Sequence, residues 1–141
     1  MPADERVLSV VCGWIQKAES DLKTAVLILQ AGEHGPADAV AFHAQQCAEK
    51  YLKALLSSEG IDFPKTHDIG QLILLLPRHA AIDFPVEEQR RLTSYATVTR
   101  YPGDYEPVTI HEAHRAVAMA RRIRERVRKL LPRLGLRRRS S

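Results

Sequence analysis

The sequence predicts an all-α fold, an antiparallel bundle of four or five helices. Three observations carry this. Apolar residues recur every three or four positions along three long stretches. Glycines and prolines gather between the stretches, where chain direction must change. No alternating run is convincing enough to be a strand. The 141 residues suit one domain, and a hydrophobic content of 45% is enough to build a core.

The first helix is expected from about Glu5 to Ala31, with Asp4 as its N-cap. Val7, Val11, Trp14, Ala18, Leu22, Ala25 and Leu29 hold a period near 3.6 along it. Gly32 and Gly35 end it, and Pro36 suits the first turn of the next helix. That second helix runs from about Asp38 to Ser58 and is the element around which the rest is expected to pack. Val40, Ala44, Cys47, Ala48, Tyr51, Leu52 and Leu55 form its apolar face, and Gly60 stops it. Two long helices joined by a short loop pack antiparallel.

Pro64 forbids a continuing helix, so Thr66 is the expected cap of a short buried helix from His67 to Leu76. Pro85 opens a fourth helix running towards Thr99. Pro102 and Gly103 then enforce a turn within Arg100-Tyr101-Pro102-Gly103-Asp104-Tyr105. Thr109 and Glu112 have capping-box spacing and start the last helix, about Ile110 to Leu131. Its apolar line is Ala113, Ala116, Val117, Ala120, Ile123, Val127 and Leu130. Residues 1–131 therefore read as one helical domain, and 132–141 as a basic, disordered tail.

The net charge of +4 is unevenly spread. Residues 121–141 hold ten Lys or Arg and one acid, Glu125, a charge of +9 that leaves −5 on residues 1–120. Such a basic end suits nucleic acid or acidic partners, or a solvated helix end. Cys12 and Cys47 sit among apolar neighbours in helical patterns and read as buried reduced thiols. The N-terminus lacks a signal-peptide pattern, and Leu72–Pro77 is too short an apolar run to cross a bilayer, so a cytoplasmic, membrane-free protein is expected.

Chemistry concentrates at three places. Along the second helix, His43, Gln46, Lys50 and Lys53 fall at steps of three, four and three, a polar line beside the apolar face. At Lys65-Thr66-His67-Asp68, helix-start amides suit a phosphate, or Asp68 answers them instead. At the Arg100 turn, a guanidinium suits phosphate, and Tyr101 and Tyr105 suit base stacking or turn packing. The six histidines include no HExxH pattern, and no Walker or Gly-x-Gly-x-x-Gly loop is present. No metal or cofactor is expected.

The order Phe42–Leu56 (FHAQQCAEKYLKALL), Gly60, Phe63–Asp68 (FPKTHD), the apolar run from Leu72, then Arg100-Tyr101-Pro102 resembles the HEPN family (higher eukaryotes and prokaryotes nucleotide-binding domain). Trp14, Ala18, Asp21 and Leu22 look like the start of the same pattern, and the likeness covers roughly residues 10 to 131. The resemblance implies a four- or five-helix bundle, usually a homodimer. It also implies nucleotide or RNA binding, often beside a minimal nucleotidyltransferase partner in a toxin–antitoxin-like module. In that role Lys50, Lys53 and Arg100 are expected to meet phosphate. His43, Gln46 and His67 are expected to hydrogen-bond, with Asp68 beside them. Tyr101 or Tyr105 is expected to stack or to be a nucleotidylation site. Some family members are metal-independent endoribonucleases with His five to seven positions after Arg. None of the six histidines here has an Arg at that spacing. Ribonuclease activity would thus need a non-standard Arg–His pair involving Arg100 with His111 or His114. A third alternative is a dimerisation module whose polar line is a hydrogen-bonded seam.

Overall fold

Helix α2 (Ala37–Ser58) is the axis of the molecule, and the other helices are laid against it. The computed structural model describes residues 2–97 and 107–131. Along α2, every residue from Val40 to Leu56 is buried except Phe42, His43, Gln46 and Lys50. A helix apolar over most of its circumference must be covered on most sides. Helix α1 (Pro2–Leu29) covers one side and α5 (Ile110–Leu130) another. The short helices α3 (Ile69–Leu74) and α4 (Val86–Ser94) close the remainder. The described residues contain no strand.

The predicted apolar lines are the ones that meet. Val11, Ala18, Leu22 and Ala25 of α1, all seven named positions of α2, and Ala113 through Val127 of α5 enter one core. Alanines and Cys47 on the facing surfaces let the axes approach, while Tyr51, Leu52, Leu55, Leu56 and Ile123 fill the volume between.

Local signals set the ends. Gly60, at φ +71°, lets the chain leave α2 in the left-handed region that other residues avoid. Gly35 sits so close to α1 that a Cβ there would lie 2.5 Å from the Ile28 carbonyl oxygen. At α5 the capping box forms: Thr109 Oγ1 accepts from the Glu112 amide at 3.0 Å, and Glu112 Oε1 from the Thr109 amide. Two starts differ from expectation. Helix α1 begins at Pro2, so Asp4 lies inside its first turn. Helix α3 is capped by Asp68, not Thr66; Asp68 Oδ1 accepts from the Gln71 amide at 3.2 Å, while Thr66 Oγ1 accepts from the Asp68 amide. Helix α3 ends at Leu74, short of the predicted Leu76. Helix α4 starts after Pro85, as expected, and ends at Ser94; Thr99 lies outside the described residues. No helix among the described residues is long and apolar enough to cross a membrane.

Candidate functional site

The polar line of α2 lies where its cover is thinnest. His43 and Lys50 both point to Asp21 of α1. His43 Nδ1 is 2.8 Å from Asp21 Oδ1, and Lys50 Nζ donates to Asp21 Oδ2. With Asp21 holding Nδ1, the other imidazole nitrogen, Nε2, has no protein partner among the described residues. The ring also meets Phe42 edge to face, with centroids 5.3 Å apart. Gln46 donates to Gln45 Oε1 at 2.7 Å.

One turn further along, a buried carboxylate collects three donors. Glu49 is only 3% exposed. It accepts from Gln45 Nε2 at 3.1 Å and from Lys53 Nζ at 2.8 Å, and it holds His67 Nδ1 at 2.7 Å. Gln45 Nε2 also donates to the His67 carbonyl, fixing the backbone of the loop before α3. The His67 side chain remains 66% exposed, so its Nε2 faces solvent from a ring fixed at its other nitrogen. Lys53 is turned inward instead of towards a groove. Its ammonium lies 5.5 Å from the Trp14 ring centroid and 5.8 Å from that of Phe63, and those two rings meet edge to face. Trp14 and Phe63 roof this end of the polar line.

On the α5 side of the same helix a second network closes the bundle. Glu19 of α1 takes a two-point contact from Arg124, Nε at 2.6 Å and Nη2 at 3.1 Å. It also accepts the Tyr51 hydroxyl, and Arg128 Nε donates to that hydroxyl oxygen at 3.1 Å. Burial pushes the Glu19 carboxyl up, but bonds from Arg124 and Tyr51 and the charges of Arg124 and Arg128 outweigh it and hold it below 4.5. Burial, with Glu19 and Asp21 nearby, pushes the Cys47 thiol up to about 12. Burial and the bond to Glu19 raise the Tyr51 phenol well above 10. Cys47 is therefore a core residue, not a nucleophile.

Of the residues expected to form a site, the structure brings His43, Gln46 and Lys50 together on one strip, with His67 tied to the same helix through Glu49. Asp68 is committed to the start of α3. Arg100, Tyr101 and Tyr105 lie outside the described residues. Sequence patterns alone give no partners for the carboxylates, Asp21 and Glu49 above all. Glu49 did carry a signal: it stands four positions after Gln45 and four before Lys53, so three polar groups share one helical face.

A family model for the HEPN domain matches residues 11–130. The chain belongs to the HEPN family. Two crystal structures agree with this assignment. TT1696 from Thermus thermophilus is 30% identical, superposes with a TM-score of 0.71, and the match covers 84% of this chain and 96% of that one. ST0689, an archaeal HEPN homologue, is also 30% identical, with a TM-score of 0.67 over 86% of this chain and 97% of that one. No curated protein matches the sequence. Membership makes this a helical domain of a nucleotide-related family.

Proposed function

We propose that this HEPN domain binds nucleotide or RNA phosphate along the thinly covered strip of α2. His43, Gln46, Lys50 and His67 act from the described part of the chain, and Arg100, Tyr101 and Tyr105 complete the site. The observation that carries the reading is the pair of imidazoles. Each is held at Nδ1 by a carboxylate, Asp21 or Glu49, leaving Nε2 for a ligand. Fixed rings lose little freedom on binding. Lys50 and Lys53 already have carboxylate partners, so Lys50 meets phosphate by sharing itself with Asp21. Lys53 acts indirectly, by neutralising Glu49. Within the cell the domain works as a homodimer beside a minimal nucleotidyltransferase in a toxin–antitoxin-like module.

Titration of the full chain with ATP and with short single-stranded RNAs at low salt tests this. Lys50→Ala and His67→Ala should each weaken binding about tenfold or more, the loss expected for one charge-assisted hydrogen bond. Unchanged affinity in both, and in Arg100→Ala, would remove the reading.

The Glu49–His67 pair also favours a second reading, a metal-independent endoribonuclease. An exposed imidazole oriented by a buried carboxylate is built to take a proton, here that of a ribose 2′-hydroxyl. RNA cleavage in the presence of chelator that is lost in His67→Ala would select this reading; intact RNA would dismiss it.

A further inference from the structure

Helix α5 has a job on its inner face, where Arg124 and Arg128 grip Glu19 and Tyr51. Its outer face is unexplained by that packing. Arg115, Arg122, Arg126 and Lys129 are exposed along one side of it, and Arg121 is exposed at the edge of that face. The helix as a whole carries seven Arg or Lys against two acids, Glu112 and Glu125. Some of this charge is answered within the protein. Arg122 Nη1 donates to Glu88 at 2.8 Å, and Lys129 lies 3.5 Å from Glu125. Arg115, Arg121 and Arg126 have no ion-pair partner among the described residues.

Arg122 and Arg126 stand four apart on one face, where like charges destabilise a helix. The stripe also borders a cleft of about 480 Å³ lined by Ala81, Ile82, Asp83, Phe84, Arg122 and Arg126. The Arg122 guanidinium lies over the Phe84 ring at 4.8 Å. From Arg115 to Lys129 the helix rises roughly 21 Å at 1.5 Å per residue, enough to follow several phosphates of one strand.

We infer that the outer face of α5 is a second, sequence-indifferent contact surface for a nucleic-acid backbone, with Arg115, Arg121 and Arg126 as its free phosphate contacts. Two features favour a polyphosphate over an acidic protein. The α5 cations with no ion-pair partner among the described residues are all arginines, whose planar guanidinium matches phosphate oxygens two at a time. The exposed positions between them on α5 include Ala118 and Glu125 but no aromatic or large aliphatic anchor of the kind protein interfaces use. The surface is distinct from the α2 strip and does not depend on it.

The test uses the full chain, a fluorescent oligo-uridylate of twenty nucleotides, ATP, and polyglutamate of similar length. Affinity for the oligonucleotide is measured from 50 to 200 mM salt for the parent and for the triple variant Arg115→Ala, Arg121→Ala, Arg126→Ala. These exposed changes leave the core untouched, and alanine suits a helix. The log–log salt slope should shrink by about 2, from about 0.7 per contact on a single strand, while ATP affinity stays unchanged. An unaltered slope in the triple variant overturns the inference, as does absence of oligonucleotide binding to the parent at 50 mM salt. Polyglutamate binding as tightly as RNA and lost in the same variant also overturns it, in favour of an acidic protein partner. The ATP arm reads the α2 site separately, so failure of one surface is not mistaken for failure of the other.

Discussion

Replacing Glu49 with alanine probes the arrangement that holds both the site and the bundle. The carboxylate is 3% exposed and accepts from Gln45, Lys53 and His67. Removing it strands three donors, but they do not weigh equally. The His67 ring is 66% exposed and turns to water at little cost. Gln45 keeps its bond to the His67 carbonyl only if the loop stays in place. Lys53 dominates: its side chain is 10% exposed and lies beneath Trp14 and Phe63, so its ammonium has no easy route to solvent. A buried cation left without its partner costs about 3–5 kcal/mol. For a domain of this size that lowers the melting temperature by roughly 10–15 °C. Thermal and urea unfolding followed by circular dichroism measure it. Adding Lys53→Met removes the stranded charge and keeps the stem between the rings, so the double variant should regain more than half of the loss. A single variant within about 1 kcal/mol of the parent, or a double variant no better than the single, would refute the reasoning.

The Glu19 carboxyl sits below 4.5 in the folded protein, so the unfolded chain binds more protons as pH falls. Its stabilising share is complete above about pH 4.5 and is lost as pH drops through the folded value; melting from pH 6 to 3 should show a shallower acid limb in Glu19→Gln. Cys47 is buried as expected, with its thiol pushed up to about 12, whereas Cys12, also expected to be buried, is only partly so; a thiol reagent at pH 8 should modify Cys12 alone until the protein is unfolded, and rapid reaction of both would contradict the packing.

The helices were legible because their signals are local. Each apolar line repeats at 3.6 residues, and the Thr109–Glu112 box names its own partner three positions on. The start of α3 lies two residues beyond the expected one because Thr66 and Asp68 both suit a cap. The chain uses both, Thr66 for an amide of the turn and Asp68 for the helix. The polar strip was legible in part. His43, Gln46 and Lys50 do share the least covered side of α2. Lys53 keeps the same spacing yet points inward, because Trp14 from α1 and Phe63 from the loop close over it. Helical spacing gives a direction around one axis and says nothing of what arrives from elsewhere. For the same reason helical spacing does not name the partners that Asp21, Glu19 and Glu49 draw from other elements, although each is the acceptor that orders several donors around it.

In the proposed site two carboxylate-held imidazoles, His43 and His67, face the ligand with Nε2. Nitrogen-detected NMR of the histidine side chains, recorded as ATP or a short RNA is added, addresses it directly. His43 and His67 should shift at Nε2 and saturate together, while His34, His79, His111 and His114 stay in place with ATP. Saturable binding that leaves the His43 and His67 rings unmoved would contradict it.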